Sequence, residues 1–343
     1  MSGFIKFFWL DLIVLAVGMF LAFFRGYETT GTGLQFLISA FIIAMLEISL
    51  SFDNAVINAT KLKTMSPIWR KRFLTWGIAI AVFGMRFVFP IVIVAIFSNI
   101  RCVEVLKLAL GNPEEYARHL AEAHVGIASF GGTFLMMLFC EFMFASNKNL
   151  HWIAPAEKIL KHIGKIKFAP TLVTFVALLA IQPFVNADER VLSLASGFAG
   201  MIVHLIIHGI SEKLEQMAER KNAFALKHAG LASFLYLEMI DASFSLDGVL
   251  GAFALTRDVV VIAIGLSVGA FFVRSITLML VEKKTLEKLV FLTHGAYWAI
   301  GTLASIMLIS VIEEIPETIT GSIGMVLIIA SLISSILYNK KHS

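Results

Sequence analysis

The chain is poor in charge, in cysteine and in extended polar sequence. Only 15% of its 343 residues are Asp, Glu, Lys or Arg, where soluble domains carry roughly a quarter. With 58% hydrophobic residues and a mean hydropathy of +0.86, it reads as an integral membrane protein with no separate soluble domain. Two cysteines, Cys102 and Cys140, are too few for a disulfide framework. The topology derived below puts them toward opposite sides, so no bridge is expected. The sequence has no Walker motif, which argues against direct ATP coupling. No small-x-small cleavage site follows Lys6 and the first apolar run, and that run carries Asp11; it is read as a retained helix. The net charge of +4 is small. Its basic residues sit in loops between apolar runs, so they are a topological signal and not a nucleic-acid one.

What the chain has in abundance is apolar runs of ~20 residues, the length that crosses a bilayer. They fall near 4–24, 34–60, 73–98, 125–145, 169–187, 190–211, 230–255, 259–281, 289–312 and 321–338. Basic residues follow every second run: Lys61, Lys63, Arg70, Lys71 and Arg72; Lys148, Lys158, Lys161, Lys165 and Lys167; Lys213, Arg220, Lys221 and Lys227; Lys283, Lys284 and Lys288; Lys340 and Lys341. The alternate loops are mixed or acidic, with Asp188 and Glu189 in one and Glu313, Glu314 and Glu317 in another. The positive-inside rule then predicts both termini in the cytoplasm of a multi-pass protein. The expected fold is an all-α polytopic membrane bundle of about ten transmembrane helices. Five would lie in 1–188 and five in 189–343, related as inverted-topology repeats.

Two acidic phrases carry that symmetry. The first is Glu47-Ile48-Ser49-Leu50-Ser51-Phe52-Asp53-Asn54, the second Asp241-Ala242-Ser243-Phe244-Ser245-Leu246-Asp247-Gly248. In the predicted topology they point in opposite directions. Ionisable residues at this depth are functional-site candidates by default. Polar positions recur at every second residue, and each such step turns an ideal helix by ~200°. Glu47 would share a face with Ser51, and Ser49 with Asp53. Each phrase must therefore be enclosed by other helices or be locally unwound to line a cavity; Gly248 would ease a break in the second. The donors are all oxygen: Glu47, Asp53, Asn54, Asp241 and Asp247, supported by Ser49, Ser51, Ser243 and Ser245. Such a set suits Mn²⁺, Ca²⁺ or Mg²⁺. Arg86 and Arg274, each in the run after a phrase, are expected to be counter-charges. Weaker echoes are His124-Val125-Gly126 and His294-Gly295, then Gly132-Thr133 and Gly301-Thr302.

Other polar residues are set apart from the phrases. Glu141 is placed either at the main site or in water. His204, His208 and Glu212 recur every fourth residue on one helix face, a possible secondary metal or proton site. They lack the His-Glu-x-x-His pattern of zinc proteases, and no enzyme activity is expected. Residues 146–168 read as a basic amphipathic stretch attracted to anionic lipid.

With these motifs in view, the chain resembles the TerC family of bacterial integral membrane proteins, named for tellurium resistance. Glu47-x-x-Leu50-Ser51-x-Asp53-Asn54, Asp241-x-x-Phe244-Ser245-Leu246-Asp247, the arginine-bearing runs and Gly131-Gly132 with Glu141 carry the likeness. Glu238 and Asp247-Gly248 depart from the common pattern. The resemblance implies a manganese exporter of the bacterial cytoplasmic membrane, with Glu47, Asp53, Asn54, Asp241 and Asp247 handling metal. The divalent cation would be a substrate, with no catalytic cofactor; the implied partners are lipid and divalent ions, and protein partners stay open. The alternatives are a non-transporting membrane component of a metal or tellurite stress-response complex with a structural metal site, Ca²⁺/H⁺ exchange, and an intramembrane metalloenzyme built on His204, His208 and Glu212.

Overall fold

The computed structural model describes residues 2–146, 148, 150–219, 223–283, 285–313 and 315–342, although some side chains within these ranges are not described. Every regular element among the described residues is helical, as a chain without water around its backbone requires. The helices are α1 Ser2–Thr30, α2 Leu34–Leu50, α3 Phe52–Thr64, α4 Pro67–Ala79, α5 Phe89–Phe97, α6 Cys102–Gly111, α7 Pro113–Glu122, α8 His124–Phe144, α9 Ala154–Ile163, α10 Ala169–Ile181, α11 Arg190–Glu219, α12 Ala223–Leu255, α13 Val259–Glu282, α14 Thr285–Lys288, α15 Leu292–Ser310 and α16 Glu317–His342. A π-helical stretch, Ile80–Val88, joins α4 to α5. Gly31, at φ +74°, ends α1 in the left-handed conformation that glycine adopts without strain.

Among the described residues, seven helices have the length and apolarity to cross a membrane. The pair α2 and α3, bent by 49° at Ser51, makes an eighth if it counts as one span. The expected ten are thus met only in part. The 169–187 run forms a short helix that continues as a 3₁₀ turn over Gln182–Phe184. The 230–255 run lies in a helix of 33 residues, but Glu238, Asp241 and Asp247 make it too acidic to stand out as a lipid span.

The centre of the bundle is α8. Its apolar stretch is 78% buried, against 22% for α1 and 17% for α16, which lie at the periphery. Small residues let backbones meet, as in membrane helix packing generally. On α13, a Cβ on Gly265 would stand 2.8 Å from the Ala40 carbonyl, and one on Gly269 would stand 2.9 Å from that of Ala44. These contacts run α13 parallel to α2. On α8, Ser129 donates to Ser193 at 2.9 Å and Thr133 to the Gly197 carbonyl at 2.8 Å. The constant offset makes α8 and α11 parallel, with α10 returning the chain between them. Gly132 faces Leu308 and Gly301 faces Phe139, while Phe142 stacks on Tyr297 at 3.7 Å; α8 and α15 therefore run antiparallel. Trp69, Phe73 and Gly77 of α4 meet Gly230, Phe234 and Glu238 of α12 in the same order, a parallel pair.

The 146–168 stretch is more than a lipid-facing loop. Its helix α9 turns Glu157 inward until none of it is exposed. The carboxylate accepts from His294 Nδ1 at 2.9 Å, from Trp298 Nε1 at 3.2 Å and from the amides of Trp152 and Ile153. Burial alone would raise this carboxyl, but the hydrogen bonds from His294 and Trp298 outweigh it and hold it down at about 2.

Candidate ion-binding site

The first acidic phrase breaks and the second does not. α2 stops at Leu50, Ser51 adopts φ −101° and ψ 11°, and α3 starts at Phe52. The Ser51 hydroxyl donates back to Glu47 Oε1 at 2.9 Å, the shared face expected from the spacing. The second phrase lies inside the unbroken helix α12. Gly248 therefore does not ease a break. Its missing side chain leaves room for Glu47, since a Cβ there would stand 2.8 Å from Glu47 Oε2.

Arg86 gathers the site. It pairs with Glu47 through Nη2, and its Nη1 lies 3.2 Å from Asp241 Oδ2. The same Nη1 also donates to the Ala81 carbonyl at 3.2 Å. Asp241 Oδ1 accepts from Asn54 Nδ2 at 2.6 Å. One guanidinium thus ties α2, α12 and, through Asn54, α3. The π-helical stretch presents it. Pro90 has no N–H for the Arg86 carbonyl one turn back and crowds it, so the helix widens just before the proline.

Around this bridge stand buried acceptors that have no donor. They are Asn54 Oδ1, Asn58 Oδ1 and Glu238 Oε1. Asn58 lies one turn beyond Asn54 on α3, and Glu238 one turn before Asp241 on α12. Asp53 is also buried, and its Oδ1 accepts from the Asn54 amide at 2.8 Å. Arg274 does not join the Arg86 cluster directly. Its guanidinium lies 3.5 Å over the Phe73 ring, a cation–π contact. Gly77 makes the space: a Cβ there would strike Arg274 Nη2 and stand 2.9 Å from Glu238 Oε1. The ionisable groups gathered here therefore include Glu47, Asp53 and Glu238, all buried, and the partly buried Asp241, against Arg86 and Arg274.

The serines are engaged with the protein. Ser243 donates to the Met239 carbonyl at 3.0 Å and Ser245 to the Met85 carbonyl at 3.1 Å; Ser49 is half-buried. The side chain of Asp247 lies outside those described. An apolar cavity of about 370 Å³ opens beside Ser243, walled by Phe89, Phe97, Phe130 and Met239; its lining carries no carboxylate, and its polar side chains are Ser196 and Ser243.

Glu141 belongs to a different place. It meets His204 and His208 of α11, whereas Glu212 is exposed and receives a hydrogen bond from Gln216. The expected His204, His208 and Glu212 triad is thus corrected to Glu141, His204 and His208. Glu212 follows the helix spacing but turns to solvent, and the acid comes from the neighbouring helix. Among residues that sequence reasoning missed, Asn58 and Gly77 carry no motif; Gly77 gains its meaning from Glu238 and Arg274, which lie on two other helices.

Fold and site together define a helical membrane protein with a buried, arginine-bridged cluster of oxygen donors. The chain belongs to the family described as "Protein of unknown function (DUF475)", which matches residues 52–342. The match takes in every site residue except Glu47, Ser49 and Ser51. No curated protein and no solved structure matches the chain.

Proposed function

We propose that the protein is a divalent cation transporter whose substrate ion binds among Glu47, Asp53, Asn54, Asp241 and Asp247. The observation that carries this reading is the Arg86 bridge between Glu47 and Asp241, set beside three buried oxygen acceptors without donors. A guanidinium there does what a bound cation would do, offsetting carboxylates that repel one another. Cation and Arg86 compete, so loading the ion releases the arginine. The donors are hard oxygens, and the TerC resemblance selects Mn²⁺ among the ions they fit, with Ca²⁺ as the alternative. Protons are the counter-substrate in this reading, because carboxylates that give up a cation can take protons.

Packing supports the inverted-repeat reading. α2, with the first phrase, lies parallel to α13, the arginine helix of the second half. α12, with the second phrase, lies parallel to α4, which leads into the π-helical stretch that bears Arg86. α8 and α15 cross antiparallel between them. Alternating access would rock one half against the other around the site. The TerC resemblance makes the protein an exporter, so metal would leave the cell.

The test is flux into vesicles. Purified protein in proteoliposomes should carry Mn²⁺ down a gradient, faster against an opposing proton gradient. Asp241→Asn and Glu47→Gln should bring flux to the level of empty vesicles. Flux that survives both substitutions removes the site assignment. A wild-type protein that is folded and carries no cation favours the second reading, a non-transporting stress-response component; the closed Arg86 salt bridges are what a static brace would look like.

A further inference from the structure

We infer that Glu141, His204 and His208 form a second site, which binds one divalent transition-metal ion of the Zn²⁺ class. This goes beyond the transport reading and does not depend on it. His204 and His208 are one turn apart on α11 and face the same way. The seam of Ser129 with Ser193 and Thr133 with Gly197 holds α8 parallel and close to α11. Two turns further along α8 this register delivers Glu141 to the pair of rings. Glu141 Oε2 lies 3.1 Å from His204 Nε2, and Oε1 lies 2.9 Å from His208 Nδ1. One donor atom from each residue falls within 4.8 Å of the others. Neighbouring ligands of a tetrahedral Zn²⁺, each at about 2.0–2.1 Å, stand about 3.3 Å apart. The three donors need little movement to meet one ion.

A second observation points to a ligand. His204 is fully buried, and neither of its ring nitrogens has a hydrogen bond of acceptable geometry. The contact of its Nε2 with Glu141 is close but off angle. A buried polar atom left without a partner is destabilising, and a metal at Nε2 would satisfy it. The surroundings fix the rings. Phe134 packs edge-on to His204 at 4.9 Å, and Tyr236 flanks both histidines. Lys61 lies 5.8 Å above the far partner, the Tyr236 ring. Glu141 and His208 keep 22% and 35% side-chain exposure, so a fourth position opens toward solvent, as in zinc sites with three protein ligands. Two imidazoles and one carboxylate differ in kind from the all-oxygen set around Arg86. They favour first-row transition ions over Ca²⁺ or Mg²⁺.

The experiment uses the full-length protein in detergent, stripped with chelator and titrated with Co²⁺ as a visible probe of coordination. One Co²⁺ should bind with a tetrahedral absorption spectrum and be displaced by Zn²⁺. His208→Ala and Glu141→Gln should weaken binding by more than the ~10–100-fold that changes outside the ligand shell produce. Glu212→Gln should bind as the wild type does. His208→Cys should keep the ion and add a thiolate-to-cobalt charge-transfer band, so a ligand role is separable from a folding defect. The inference is overturned if monodisperse wild-type protein stays free of cobalt. It is equally overturned if His208→Ala binds normally, if Glu212→Gln abolishes binding, or if the cysteine variant shows no such band.

Discussion

Two carboxylates and one carbonyl converge on the guanidinium of Arg86, with Arg86 and Glu47 buried and Asp241 nearly so. Removing one partner of a buried ion pair leaves an uncompensated charge and costs about 3–5 kcal/mol. Arg86→Gln should therefore lower the melting temperature of the detergent-solubilised protein. If a cation competes for the same oxygens, millimolar Mn²⁺ should restore more stability to Arg86→Gln than it adds to the wild type. An equal effect on both proteins would separate the bridge from metal binding. At this scale much of the cluster was legible beforehand. Glu47, Asp241 and Arg86 stand out because charge is scarce in the chain and dear in an apolar interior. Asn58 and Gly77 were not legible. An asparagine and a glycine in mid-helix carry no local signal of a partner, and both acquire meaning from what other helices place against them.

The elements show how the same phrase takes two shapes. The first copy bends at Ser51 and the second stays helical, although the spacing of polar residues is the same. Packing decides it: Glu47 is pressed between Gly269 of α13 and Gly248 of α12. The π-helical stretch before Pro90 is another element-scale feature, and the proline was its only trace in the sequence. Helix α9 is the third. Its lysines dominate its reading as a lipid-facing stretch, while its single acid docks on α15. The Glu157 carboxyl, held at about 2 against an ordinary 4.5, contributes stability in full above 4.5. That contribution fades as the pH falls from 4.5 toward 2. Glu157→Gln should then lose about 2–3 kcal/mol at pH 7, and the gap from wild type should narrow at pH 3. Thermal unfolding at the two pH values measures it, and a gap independent of pH would exclude an ionised latch.

Across the whole molecule, parallel and antiparallel contacts order the bundle: α2 with α13, α8 with α11, α15 against α8. The orientation in the membrane is open to direct test. Cys102 is exposed on α6 and Cys140 is buried in α8. With both termini cytoplasmic, a membrane-impermeant maleimide should label Cys102 in intact cells, and Cys102→Ser should lose the label. Labelling that requires permeabilised cells would invert the topology.

The sequence by itself determined that this is a helical membrane chain with two costly acidic phrases, two interior arginines and a histidine pair. Composition and spacing are local properties, and scarce charge in an apolar run is conspicuous wherever it falls. Only the tertiary structure decided that Arg86 bridges Glu47 to Asp241, that Glu238 sits near Arg274 beside Gly77, and that Glu141 replaces Glu212 beside the histidines. Each of these pairings joins residues from different helices. Their register depends on where small residues let two backbones approach, and no single stretch of sequence contains that information.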